Sequence, residues 1–269
     1  MLSNISIGQY FPGDSVIHRL DPRTKILLTV AFIAAIFVSG GFIGFALIAL
    51  FMLICCLITK ISLKFIVRGL KPIAFIVVFT FALNLFLGGG TDVIWSWGVL
   101  TITGTGLRNA LFMAVRLILL VTGTQLLTLT TSPIALTDGL ERLFSPFKKI
   151  GFPAHELAMM MAIALRFIPT LIEETDKITK AQKARGADFE SGNLLKRAKA
   201  MLPLLVPLFV GAFRRADDLA MAMEARCYRG GTGRTKMKPL KYAGIDLYAG
   251  LCMLGLMAVI IVLNAFKAY

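Results

Sequence analysis

The sequence predicts an all-α integral membrane protein of about five transmembrane helices, joined to a cytoplasmic domain of one short and two long helices. Three observations lead there. Of the 269 residues, 57% are hydrophobic and only 16% are charged, whereas an ordinary soluble domain carries about 25% charged residues. The apolar residues are gathered into runs of the length a bilayer core demands, and the mean hydropathy is +0.78. Lys and Arg, which set a net charge of +14, alternate between crowded and empty connections, the bias that orients membrane helices. In a soluble chain such a charge would suggest nucleic acid. Here the basic blocks adjoin apolar spans, so the expected partner is the lipid bilayer and no nucleic acid is expected.

The spans follow in order. Residues 1–24 include Asp14, His18, Arg19, Asp21 and Arg23, and the apolar run begins only at Ile26; this opening does not read as a secretory signal. A short first span is read at 26–38, flanked by Arg23 and Lys25, which can snorkel. Ser39-Gly40-Gly41 makes a turn into a second span at 42–58. Lys60, Lys64, Arg68 and Lys71 form a basic loop, and a third span at 73–87 follows Pro72 and stops at Gly88-Gly89-Gly90. The next loop holds Asp92, Trp95 and Trp97 and no basic residue before Arg108; its paired tryptophans suit an interfacial belt. A fourth span is read at 107–130 and the last at about 243–265. The expected organisation is a membrane domain over 1–131, a coupling segment over 132–242, and a final transmembrane segment over 243–269. The positive-inside rule puts the N-terminus, the 60–71 loop and 132–242 in the cytoplasm, and the C-terminus outside.

The 132–242 segment carries most of the Lys and Arg. Ser132-Pro133 opens a short helix containing Leu140, Leu143 and Phe144, closed by Ser145-Pro146. After Gly151-Phe152-Pro153 a long helix begins, with a stripe of Leu157, Met160, Met161, Ala164, Leu165 and Ile168 at spacings of three and four. A second long helix runs from about Leu194 to Cys227 with Leu202, Leu205, Phe209, Phe213 and Met223 on one stripe. Pro169 interrupts the first, and Pro203 and Pro207 the second, which predicts kinks. Glu173, Glu174, Asp176, Lys177 and Lys180 load the C-terminal half of one; Arg214, Arg215, Asp217 and Asp218 load that of the other. Both are therefore expected along or below the membrane face.

The two long helices end alike, in Ala184-Arg185-Gly186 and Ala225-Arg226-Cys227. A small residue beside an Arg on a last turn lets a helix tip approach another protein while the guanidinium forks a carboxylate. An Arg before Gly is also ordinary helix punctuation, since a cation complements the C-terminal dipole. Arg116 falls within a span, where a charge is costly; it reads as a structural tie, with Asn84 as a partner to test. The alternating charges of Asp14, Arg19, Asp21 and Arg23 read as a fastening of the opening segment to the cytoplasmic helices. Cys55, Cys56, Cys227 and Cys252 form no CxxC pair, and with only His18 and His155 as histidines neither a disulfide framework nor a metal centre is expected.

The opening Gly8-Gln9-Tyr10, Pro12-Gly13-Asp14-Ser15 and His18-Arg19-Leu20-Asp21-Pro22-Arg23-Thr24-Lys25, together with the two Ala-Arg triplets, resembles the T component of energy-coupling factor (ECF) transporters. The likeness spans the whole chain. Cys227 stands where that family usually has Gly or Ser. The resemblance implies a non-catalytic scaffold in a prokaryotic cell membrane, linking two ATPase subunits to a substrate-binding S component for uptake of vitamins or related micronutrients. It implies ATPase docking by Ala184, Arg185, Gly186, Ala225, Arg226 and Cys227. An S-component interface would use Leu157, Met160, Met161, Leu165, Leu205, Phe209, Phe213 and Met223. No cofactor is expected in this chain: it has no GxxxxGK[ST] phosphate loop, so ATP and magnesium would belong to the partner subunits. Met159–Met161, Met221 and Met223 suit either a repacking interface or core filling. Two other classes compete with this reading. A lipid-modifying membrane enzyme would need His18, Asp14, Asp21 and Glu156 to converge, and no nucleophile or metal motif supports it. A stand-alone secondary transporter would show inverted repeats, and none is visible.

Overall fold

The computed structural model describes residues 10–87, 92–97, 100–189, 193–231, 235, 237 and 239–266. Gly8, Gln9, the 88–90 glycine run, Ser191 and Lys267 lie outside the described residues, as do the side chains of Trp95 and Trp97. The chain divides into two compact units, one of residues 8–139 and 240–269 and the other of 1–7 and 140–239.

The first unit holds a one-turn helix α1 (Val16–Arg19), then α2 (Pro22–Val38), α3 (Phe42–Thr59), α4 (Leu63–Leu87), strands β1 (Val93–Trp97) and β2 (Leu100–Thr103), α5 (Gly104–Thr130), most of α6 (Pro133–Phe144), and α9 (Gly244–Ala265). Its core joins Phe32, Ala35 and Ile36 of α2 to Phe45, Ile48 and Met52 of α3, Leu119 of α5, and Met253 and Ile260 of α9. The remaining faces of these helices expose Leu, Ile, Val and Phe, as expected where the surrounding medium is hydrocarbon.

Several boundaries differ from the sequence reading. The helix bearing the first span starts at Pro22, because Asp21 caps it and a proline is well placed at a first helical position. The third span was expected to follow Pro72. Instead α4 begins at Leu63 and runs through Pro72, so Lys64, Arg68 and Lys71 sit on helical turns rather than in a loop. An interior proline frees one carbonyl and kinks a helix, and membrane helices tolerate this. The expected 88–106 loop contains an antiparallel hairpin, pairing Val93 with Thr103 and Trp97 with Leu100. Among the described residues five helices are long and apolar enough to cross a membrane: those containing Phe42–Thr59, Lys64–Phe86, Gly104–Thr130, Ala154–Ala184 and Gly244–Ala265. Ala154–Ala184 was expected to be too charged. Most of its acidic and basic residues cluster from Glu173 onward, and its N-terminal half, with only Glu156 and Arg166 charged, has the composition of a span.

The opening motif is a clamp built at one end of the first unit. Ser15 caps α1 and bonds the His18 ring at 2.6 Å, and His18 Nε2 reaches the Phe11 carbonyl at 3.1 Å. Asp21 accepts from the Arg23 backbone N–H at 2.9 Å and from its guanidinium at 3.0 and 2.9 Å. Burial raises the Asp21 pKa, but the Arg23 bonds outweigh it and hold the carboxyl below its usual range. The Arg23 guanidinium also lies 3.9 Å over the Tyr242 ring. Asp246 in the first turn of α9 accepts from the backbone N–H of Ala243 at 2.8 Å and from that of Asp21 at 2.9 Å. Lys25, buried, donates to the carbonyls of His18 and Thr130. Of the four charges read as a fastening to the cytoplasmic helices, Asp21 and Arg23 tie α2 to the start of α9, and Lys25 beside them ties it to the end of α5. Arg116 does not meet Asn84. The Asn84 amide donates to Thr80 of its own helix at 2.8 Å, and the guanidinium lies over the rings of Phe37 and Phe45, 5.8 and 5.5 Å away.

The second unit holds the end of α6, a 3₁₀ turn over Ser145–Ile150, α7 (Ala154–Ala184) and α8 (Leu194–Ala225). Phe144, Phe147 and Phe152 cluster around the turn, and Gly151 closes it in the left-handed region. α7 and α8 pack on each other. Glu174 of α7 forms an ion pair with Arg215 of α8. Pro169, Pro203 and Pro207 all lie inside these helices.

Candidate functional site

The two Ala-Arg triplets occupy equivalent places. Ala184 is the last residue of α7, Arg185 its C-cap, and Gly186 follows at φ +85°. Ala225 is the last residue of α8, Arg226 its C-cap, and Cys227 follows at φ +56°. The terminal hydrogen bonds match one for one. Gly186 N–H donates to Lys183 O at 3.0 Å and Ala187 N–H to Gln182 O at 3.0 Å. Cys227 N–H donates to Glu224 O at 2.8 Å and Tyr228 N–H to Met223 O at 3.0 Å. This is the Schellman closure, in which a left-handed residue turns the chain back over the last carbonyls.

That geometry explains the third position. A left-handed backbone crowds Cβ against the carbonyl, so Gly is preferred and any other residue costs about 1 kcal/mol. Cys227 adopts it regardless, so the fold does not require glycine there. Gly186→Ala is accordingly expected to cost about 1 kcal/mol through φ alone, since open space surrounds the position. Cys227→Gly should be neutral or slightly stabilising. Hydrogen exchange at the Ala187 and Tyr228 amides reads both closures locally; undiminished protection of Ala187 in Gly186→Ala would refute the assignment of strain.

All six triplet residues are exposed. Among the described residues the side chains of Arg185 and Arg226 have no hydrogen-bond or ion-pair partner, so both guanidinium forks are open to another molecule. The tips also stand apart. The phenol of Tyr228, two residues past Arg226, bonds His155 Nε2 at 3.4 Å, and His155 is the second residue of α7. Arg185 caps the opposite end of that 31-residue helix. At 1.5 Å per residue, less some shortening at Pro169, the two arginines are roughly 40 Å apart. Each tip can therefore engage a separate body.

The other predicted residues are apolar and outward-facing. Leu157, Met160, Met161, Leu205, Phe209 and Phe213 are exposed, Phe213 by 68%; Leu165 and Met223 are half-buried. The sequence reading missed the group formed by His155, Glu141 and Tyr228. Histidine and tyrosine 73 residues apart leave no periodic signal. Among the described residues no cluster of three or more His, Cys, Asp or Glu side chains is arranged to hold a metal ion.

Comparison with known proteins agrees with this architecture. The cobalt transport protein (CbiQ) family model matches residues 13–237. An energy-coupling factor transporter transmembrane protein EcfT of Thermosediminibacter oceani is 60% identical over 98% of this chain and 99% of its own length. The proteins of that name from Clostridium kluyveri and Bacillus subtilis are 57% and 47% identical, over 96% and 98% of this chain and 96% and 100% of their own. With its spanning helices, its matching helix tips and these relatives, the chain belongs to the family of transmembrane T components of energy-coupling factor transporters.

Proposed function

We propose that this chain is the membrane scaffold of an ATP-driven importer. Its Arg185 and Arg226 tips each dock one ATPase subunit, and the chain passes their movement to a substrate-binding S component that carries vitamins or related micronutrients. The observation that carries the reading is the pair of exposed, unbonded arginines on identical helix closures, roughly 40 Å apart along α7. A guanidinium on a close-approaching tip suits a carboxylate-lined notch, and two tips suit a pair of similar subunits. The apolar faces with Leu157, Met160 and Met161 on α7 and Leu205, Phe209 and Phe213 on α8 would meet the S component; exposed methionines adapt to more than one surface. ATP and magnesium belong to the partners, and this chain contributes no catalytic group.

The orientation proposed follows the basic residues: the N-terminus and 132–242 on the cytoplasmic side of a prokaryotic cell membrane, the C-terminus outside. α7 is read as lying along the membrane face, because each charge placed at a bilayer centre costs about 2.5–3.5 kcal/mol and its second half carries Glu173, Glu174, Asp176, Lys177 and Lys180. Maleimide labelling tests this. Native Cys227, exposed at a tip, should react only after the membrane is opened, whereas a cysteine replacing Asp92 in a chain without the native thiols should react in intact cells. The opposite pattern would overturn the orientation. Reconstitution tests the role itself: the purified chain alone should neither hydrolyse ATP nor bind substrate tightly, and both activities should appear when ATPases and an S component are co-expressed with it. ATP hydrolysis by the isolated chain would refute the proposal.

A further inference from the structure

Arg226 and Arg185 differ in what lies behind them. His155 Nδ1 is 2.9 Å from the Glu141 carboxylate. A carboxylate accepts, so Nδ1 donates to it and Nε2 is the nitrogen left facing outward. The Tyr228 hydroxyl lies 3.4 Å from Nε2, the long end of hydrogen-bond range. The same ring packs flat against Gly231, where a side chain as small as a methyl would collide with it. Three segments meet at one imidazole: α6 through Glu141, the first turn of α7, and the chain leaving α8. Tyr228 also donates its backbone N–H to Met223 in the closure that presents Arg226. At the other tip, Ala187 and Gly186 bond only to carbonyls of α7 itself among the described residues.

We infer that His155 is a positioning residue for the Arg226 tip: it latches that tip to α6 and the start of α7. The inference rests on the reading of Arg226 as a docking tip, but its geometric content does not. A force arriving at Arg226 passes through Tyr228 and His155 to Glu141, and so into α6, which directly follows the α5 span in the chain. A force at Arg185 enters α7 at its far end and meets the Glu174–Arg215 ion pair to α8 before it reaches Pro169. The Arg226 tip is thus a short lever, braced at one imidazole. The length of the Tyr228 bond suits a brace that yields under load.

Two spin-label pairs in the full-length chain test it, with Cys55, Cys56 and Cys252 replaced by serine. One pair joins native Cys227 to a cysteine at Lys148 in the 3₁₀ turn. The second, with Cys227 also removed, joins Lys148 to a cysteine at Lys180 near the other tip. In the parent chain the first pair should give one narrow distance distribution. His155→Phe, which keeps the ring against Gly231 but removes both nitrogens, should broaden it at least twofold. His155→Gln, which offers an amide donor and acceptor in similar positions, should restore it. The second pair should be the same in all three proteins. In the assembled complex, His155→Phe should lower transport several-fold and His155→Gln should recover most of it. A distribution as narrow in His155→Phe as in the parent, or equal broadening of both pairs, would overturn the latch. Because the distances are read without ATPases present, that failure is distinct from a failure of Arg226 to dock one.

Discussion

Replacing Arg185 and Arg226 together with glutamate is expected to abolish recovery of ATPase subunits with the detergent-solubilised chain. Each tip offers an exposed guanidinium without an internal partner, so each variant leaves the helix closure intact and changes only what the tip presents. Losing one charge-assisted contact at an interface costs about 2–5 kcal/mol, and reversal adds repulsion. A single variant should therefore weaken its own contact by roughly 30-fold or more, since every 1.4 kcal/mol is tenfold. It should still retain ATPases through the other tip, because two linked contacts bind by avidity. The tips are roughly 40 Å apart and share no partner, so their free-energy losses should add within about 0.5 kcal/mol. Affinity purification with quantified ATPase yield decides this. Undiminished yield with the double variant would eliminate the docking role, and a single variant as severe as the double would eliminate two independent sites.

The second large effect lies in the membrane unit. Asp246→Ala is expected to destabilise it by about 3 kcal/mol, because removing one partner from a buried charged cluster leaves the rest unpaired. The buried Asp246 carboxylate accepts the backbone N–H groups of Asp21 and Ala243, and it closes the junction that also holds Arg23 over Tyr242 and Lys25 on the carbonyls of His18 and Thr130. Alanine would strand the buried Asp21 N–H without an acceptor and remove the cap on Ala243. The thermal midpoint of aggregation should fall by roughly 10 °C, while the ATPases should still bind to whatever fraction remains folded. Asp246→Asn keeps one acceptor and should fall between. A midpoint unchanged in Asp246→Ala would show that the junction is ornamental to stability.

The helices of both units were legible because hydrophobic run length and periodicity are local properties. Run lengths located spans at α3, α5 and α9 to within a few residues, and a 3.6-residue stripe exposed α7 and α8. The helix ends at Arg185 and Arg226 were legible for the same reason, since caps are written in adjacent residues. Where the reading departed, a local rule met a non-local context. Pro72 reads as a helix start in isolation, yet α4 continues through it. The 88–106 stretch alternates apolar and polar residues only over Trp95-Ser96-Trp97 and Leu100-Thr101-Ile102-Thr103, runs too short to separate its hairpin from a loop. Arg116 looked for a hydrogen-bond partner along the neighbouring span, but it lies over aromatic rings contributed by α2 and α3.

By itself the sequence determined that this is a helical membrane chain, and where its two arginine tips fall, because hydropathy, helix period and capping act over a few residues. Only the tertiary structure decided that Asp21 belongs to Asp246, 225 residues away, that Cys227 adopts the left-handed turn of Gly186, and that His155 stands behind Arg226 rather than Arg185. Those pairings depend on which surfaces meet when the helices pack, a choice made by all the contacts at once.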